Sequence, residues 1–117
     1  MRCCKAIIED TVIAYNVKIA DSFFKRLVGL LNRDKLEDDE GLLLKKCNQI
    51  HTIGMRFNID AVFLNKEGEI VYIEKDMGAG KISKRIKNAC QVLELQAGTA
   101  DKYNIKLFDV IKFDVLL

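Results

Sequence analysis

The chain has 117 residues, of which 50% are hydrophobic and 31% are charged, a balance typical of one globular domain. Nineteen basic residues against seventeen acidic ones leave a formal charge of only +2, which argues against a nucleic-acid partner. No apolar run is long enough to cross a bilayer, and the N-terminal residues lack the features of a secretory signal. We therefore expect a single cytoplasmic domain over residues 1–117, without nucleic-acid or membrane partners.

Four cysteines in a chain without an export signal indicate reduced thiols. Cys3 and Cys4 are adjacent, which is not the CxxC spacing that lets two thiolates share one zinc ion. Cys47, His51 and Cys90 could supply three ligands if the fold brought them together. Buried thiols that pack as small hydrophobic groups explain the same residues, so we predict no metal and no cofactor.

The first strand and the main helix follow from local patterns. TVIAYNVKIA (residues 11–20) is rich in β-branched residues and predicts a strand that could pair with the preceding KAIIE. The stretch from Ala20 to Arg33 then predicts a helix that Asp21 or Ser22 caps. We expect this helix to end near Asn32 and to contain Gly29 at a point of close approach. Its apolar face would consist of Phe23, Leu27, Leu30 and Leu31.

The rest of the sequence predicts mainly strands. NIDAVFLN and EIVYIE form a hairpin signal around the turn NKEG, in which Gly68 can adopt positive φ. Because IDAVFL is apolar on both faces, we expect it inside the sheet. Thr99 should cap a helical turn in TADKYNIK. Further strands are predicted in GLLLKKC, ACQVLELQAG and DVIKFDVLL.

Six or seven short strands and one principal helix define the expected architecture. We predict an α+β domain, mainly β, whose antiparallel-rich sheet is curled into a small, partly closed barrel.

Four segments, in this order, resemble the domain-of-unknown-function 192 family: RLVGLLNR, GLLL, CNQIHTIGMRFNIDAVFLNKEGEIV and VLELQAGTADKYNI. The resemblance runs from about Arg26 to the C-terminus and is carried by RxxGL and by the His-Thr-x-x-Met run that leads into Ile-Asp-x-x-Phe. It implies a compact, β-rich, barrel-like domain and brings no assigned activity. Members tend to have Gly-Asp before the last strand, where this chain has Phe108-Asp109. A positive φ there would strain a phenylalanine.

The segment CNQIHTIGMRFNID (residues 47–60) contains the only histidine of the chain and is the best candidate for a functional site. His51 and Thr52 precede Gly54, which allows a sharp bend, so we expect an imidazole at a chain reversal. Neutral imidazole titrates near ~6.5 and can accept or donate a proton at cellular pH.

Two acids lie in apolar strands, where an unpaired carboxylate is costly to bury. They are Asp60 and Glu94, and the planar guanidinium of Arg26 could pair with either. We predict that Arg26, His51, Thr52, Asp60 and Glu94 border a pocket for a small polar ligand, beside the helix and the IHTIGM turn.

Three other interpretations stay open. Arg26, Asp60 and Glu94 could form a structural ion network, with His51 hydrogen-bonded to a backbone carbonyl. An enzyme could use Cys47 as nucleophile and His51 as base, which would require a thiol pKa well below ~8.5. An interaction module could add an exposed strand edge, either KAIIE or DVIKFDVLL, to a partner's sheet. Nothing in the sequence indicates an oligomeric state.

Overall fold

The computed structural model describes residues 2–31 and 33–115, apart from the side chains of Phe23, Phe24 and Leu27. Its elements are, in chain order, β1 (Cys3–Ile8), β2 (Thr11–Ala20), α1 (Phe23–Val28), β3 (Glu40–Lys45), β4 (Ile59–Leu64), β5 (Ile70–Met77), β6 (Gln91–Gln96), α2 (Thr99–Lys102) and β7 (Ile111–Val115). Both helices are short, so the chain is mainly β, as predicted. No helix in the described part of the chain is long and apolar enough to span a membrane.

All seven strands belong to one sheet in the order β5-β4-β6-β3-β2-β1-β7. Every neighbouring pair is antiparallel except β2 and β3, which are parallel. Parallel neighbours need a crossover connection, and the segment that contains α1 supplies it. The antiparallel-rich sheet, the pairing of β1 with β2 and the β4–β5 hairpin are confirmed.

The two ends of this strand order, β5 and β7, are not paired along their length. One isolated bridge joins Glu69 to Val110, and the N–H of Ile111 donates to the carbonyl of Gly68 at 2.9 Å. Gly68 has a φ of 81°, as its turn position predicts. The described strands thus form an open sheet whose ends meet only where residues 68–70 contact residues 108–111, and the partly closed barrel stays a prediction.

The sheet has a hydrophobic core on each face. We call the face that carries Leu43, Val62 and Leu93 the first face; buried residues of β1, β2 and β7 and Ala100 of α2 belong to the same core cluster. The second face carries Leu44, Phe63 and Val92, and the segments around α1 and residues 47–57 cover it. All six residues of β4 are buried, which confirms that this strand lies inside the sheet.

The main helix is shorter than its sequence predicts. Ser22 caps it by accepting from the N–H of Lys25, as expected, but α1 ends at Val28. Gly29 adopts a φ of 50° and its N–H donates to the carbonyl of Lys25, so this glycine terminates the helix and does not lie inside it. The predicted end near Asn32 is therefore wrong. The predicted side-chain positions of Phe23 and Leu27 lie outside the described residues.

The turn before β7 has the geometry that a phenylalanine tolerates poorly. Phe108 has a φ of 75° and is 71% exposed, while its N–H donates to the carbonyl of Ile70. A left-handed backbone costs a non-glycine residue about 1–2 kcal/mol, and glycine loses about 0.5–1 kcal/mol in chain entropy on folding. The substitution Phe108→Gly should therefore raise the free energy of unfolding by up to about 1.5 kcal/mol.

Urea denaturation checks this expectation, with Phe108→Ala as the matched control because alanine keeps the backbone strain. The strain explanation fails if Phe108→Gly is no more stable than Phe108→Ala.

Candidate functional site

A cavity of about 210 Å³ lies between the second face of the sheet and the segment that follows α1. Most of its wall is aliphatic, contributed by residues after α1, by β3 and by the loop that follows β3. Among the described residues its polar side chains are Arg26, Cys47, Gln49, His51 and Glu94. A mostly apolar wall with a few fixed polar groups is the usual composition of small-molecule sites.

Glu94 lies at the buried side of this cavity. Its neighbours across the sheet are Leu42 on β3 and Ala61 on β4, both buried and apolar. The residue is only 3% exposed, and burial raises the pKa of its carboxyl to about 8. Within the described residues, no donor or cation forms a hydrogen bond or ion pair with it. Glu94 is therefore mostly protonated at neutral pH and is directed toward the cavity.

Arg26 and Cys47 lie near Glu94 in the same cavity. Arg26 is half-buried in the last turn of α1, and in the described part of the chain its guanidinium forms no ion pair. The Cys47 thiol donates to the carbonyl of Gln49 at 3.2 Å. Burial raises the pKa of Cys47, Glu94 also raises it, and both the bond to Gln49 and the charge of Arg26 oppose the rise. The thiol is thus protonated, contrary to what the enzyme interpretation requires.

His51 lies at the exposed rim of the cavity. Its Nδ1 accepts from the N–H of Ile53 at 3.2 Å, which leaves the proton of the neutral ring on Nε2. The ion-network interpretation has His51 hydrogen-bonded to a backbone carbonyl. Nδ1 makes no such bond, because it accepts from a backbone N–H. No described residue accepts from its Nε2–H, which is a donor at the cavity mouth.

Thr52 does not line the cavity; it is fully buried and stabilises the neighbouring loop. Its hydroxyl donates to the carbonyl of Gly78 and accepts from the N–H of Lys81 at 3.0 Å. Its own N–H donates to the carbonyl of Lys81 at 2.8 Å. These contacts give Thr52 a structural role beside the cavity.

Asp60 lies on the first face of the sheet, away from this cavity. It is 1% exposed, and its carboxylate accepts from the N–H groups of Asp76 at 2.8 Å, Gly98 at 3.1 Å and Ala100 at 2.9 Å. Gly98 immediately precedes α2 and Ala100 lies in its first turn, so Asp60 takes the capping role predicted for Thr99. The predicted pairing of Asp60 with Arg26 is wrong, because backbone donors already satisfy the carboxylate.

The structure therefore divides the predicted site. Arg26, His51 and Glu94 share one cavity, whereas Thr52 and Asp60 do not line it. Gln49 was missed; its side-chain amide donates to the carbonyl of Ser83 at 3.0 Å, which fixes it beside the cavity. Ile50, between Gln49 and His51, also lines the cavity, so no alternation along this segment distinguishes Gln49 in the sequence.

The other interpretations are also constrained by the fold. KAIIE is not an exposed edge, because β1 pairs with β2 on one side and β7 on the other. In the described strands β7 pairs along its length with β1 only, so DVIKFDVLL remains at a sheet edge. Within the described part of the chain, no three His, Cys, Asp or Glu side chains are grouped as metal ligands would be.

Two solved structures share the fold. A "putative transcription regulator" from Sinorhizobium meliloti 1021 has a TM-score of 0.84 and 20% identity, over 96% of this chain and 92% of that one. A protein of unknown function from Novosphingobium aromaticivorans DSM 12444 has a TM-score of 0.82 and 16% identity, over 94% of this chain and 83% of that one. At these identities the likeness shows the fold alone. No curated protein matches the chain.

The sequence resemblance extends further toward the N-terminus than Arg26. A family model described as "Uncharacterized ACR" matches residues 5–113, from β1 into β7. The chain therefore belongs to the domain-of-unknown-function 192 family, a family of uncharacterised proteins.

Proposed function

We propose that the protein binds a small molecule in the cavity formed by Arg26, Cys47, Gln49, His51 and Glu94. One observation carries the proposal: a carboxyl group that is 3% exposed borders an apolar cavity and has no hydrogen-bond partner among the described residues. In the described part of the chain no fully buried side-chain oxygen lacks a partner, so the Glu94 carboxyl opens onto the cavity. A carboxyl that is only 3% exposed there still loses most of its hydration, at a cost in free energy that a leucine at the same position would not have. A ligand that bonds to Glu94 would offset that cost.

Asp60, the other buried acid of the sheet, can be compared with Glu94 within the same protein. Asp60 is equally buried but accepts from three backbone N–H groups. The fold can therefore supply backbone donors to a buried acid, and it supplies them to Asp60. The difference supports a role for Glu94 in binding a molecule from outside the chain.

A screen of small molecules by thermal shift and NMR tests the proposal. Ligands of the cavity should raise the melting temperature and move the His51 ring and Met55 methyl resonances in a saturable way, since both residues line it. Glu94→Leu should abolish these shifts, whereas Glu67→Leu, at an exposed turn position, should leave them intact. If no compound gives saturable shifts at His51 or Met55, the cavity is not a binding site.

A second candidate function is the addition of β7 to a partner's sheet. It is favoured by the position of β7 at the end of the strand order and by Val115, which is 42% exposed. Size-exclusion chromatography over a range of concentrations tests it, because self-association through this edge would increase the apparent mass.

Two further parts of the proposal concern shape and location. We propose that the sheet curls into a partly closed barrel, supported by the contact of Gly68 and Glu69 with the start of β7.

We also propose that the protein works in the cytoplasm, where the free thiols of Cys4, Cys47 and Cys90 would stay reduced.

A further inference from the structure

We propose that the ligand is a small monocarboxylate with a short apolar chain, whose carboxylate binds Arg26 while its chain lies against the aliphatic wall beside Glu94. This inference rests on the proposed function and names the class of molecule that the cavity would take. It follows from the charge, the donors and the size of the cavity.

The first argument is the charge of the cavity wall. Of the polar side chains described there, Arg26 is the one that is always charged at neutral pH, and no carboxylate among the described residues pairs with it. A guanidinium presents parallel N–H donors that match the two oxygens of a carboxylate. An anion from outside the chain would supply the partner that Arg26 lacks.

The second argument is the state of Glu94. Because burial raises the pKa of its carboxyl to about 8, the group is a donor at neutral pH and can give its O–H to a carboxylate oxygen. A cationic ligand would instead require Glu94 to ionise, which reduces its affinity at pH 7 by about tenfold. It would also face the positive charge of Arg26.

The groups around Glu94 support this choice. In the described part of the chain, the titratable side chains that share its cavity are Arg26 from α1 and Cys47 and His51 from the loop after β3. Across the sheet it meets Leu42 and Ala61, which carry no charge. None of these neighbours supplies a negative charge at neutral pH, since the pKa of the Cys47 thiol is raised by burial.

The third argument is size. The cavity volume of about 210 Å³ is below the range of about 300–1,000 Å³ that is usual for drug-sized ligands. A carboxylate with a few carbon atoms would fill it, with the chain packed on Leu30, Leu44 and Ile50.

Three probes of equal length test the inference: butyrate, butyramide and butylamine, titrated at neutral pH and followed by the His51 and Met55 resonances. We expect butyrate to bind at least about tenfold more tightly than the other two. Arg26→Met should weaken butyrate by a similar factor, and Arg26→Lys, which keeps the charge without the planar fork, should lie between. Arg85→Met, at an exposed position outside the cavity, should change nothing.

The outcomes separate this inference from the proposed function. Butylamine or butyramide binding as tightly as butyrate, or an unchanged butyrate affinity in a folded Arg26→Met variant, overturns the carboxylate inference and leaves a binding cavity in place. Saturable shifts from none of these probes and from no member of the screen would overturn both.

Discussion

Replacing Glu94 by glutamine should remove a large part of the loss of stability that the protein undergoes as the pH rises toward 8. Burial raises the pKa of this carboxyl from its ordinary value of 4.5 to about 8 in the folded state. A folded-state pKa above the unfolded one contributes stability that is fully present below pH 4.5 and is lost progressively as the pH rises through about 8. The total effect is on the order of a few kcal/mol, because each pKa unit corresponds to about 1.4 kcal/mol.

Urea denaturation of both proteins at several values between about pH 4 and about pH 9 measures this difference. The variant should lose much less stability across this range. Its free energy of unfolding should exceed that of the natural protein by the largest amount above about pH 8. Glu67→Gln serves as the control, because Glu67 is exposed and its substitution should leave the pH dependence unchanged. Parallel stability curves for the natural protein and Glu94→Gln would show that Glu94 is not a buried, unpartnered acid.

Replacing Asp60 by alanine should destabilise the protein by about 3–5 kcal/mol, far more than His51→Ala. The truncation leaves the N–H groups of Asp76, Gly98 and Ala100 without their acceptor inside the molecule. It also removes the cap of α2. His51 is exposed and its ring accepts one bond, so its loss should cost less than about 1 kcal/mol.

The unfolding free energies of Asp60→Ala, Asp60→Asn and His51→Ala, measured side by side, check this ranking. Asparagine keeps the shape and one acceptor oxygen, so Asp60→Asn should lie between the other two. An Asp60→Ala variant within about 1 kcal/mol of the natural protein would contradict the anchoring role.

If both expected results are obtained, Asp60 and Glu94 have opposite effects on the stability of the protein. Asp60 stabilises the fold because β5 and the start of α2 direct backbone donors at it. Glu94 reduces stability as the pH rises because the described residues offer it no such donors. An acid that lowers the stability of the unliganded protein and borders a cavity is typical of a ligand-binding site.

Local sequence patterns predicted most of the strands and turns. The β-branched run in β2, the doubly apolar β4 and the turn at Gly68 each depend on neighbouring residues only, and the structure confirms all three. The cap at Ser22 was predictable for the same reason. The length of α1 was not, because apolar spacing continues past Gly29 although the positive φ of this glycine ends the helix.

The sequence by itself determined that two acids would lie in apolar strands, but it could not distinguish their surroundings. Only the tertiary structure decided this, through strand register. Asp60 pairs with Leu95, one residue from Glu94, so the two carboxyls point to opposite faces of the sheet. On the first face the chain brings backbone N–H groups from residues 76, 98 and 100, and on the second face it leaves a cavity. These contacts join residues distant in sequence, so no local pattern records them.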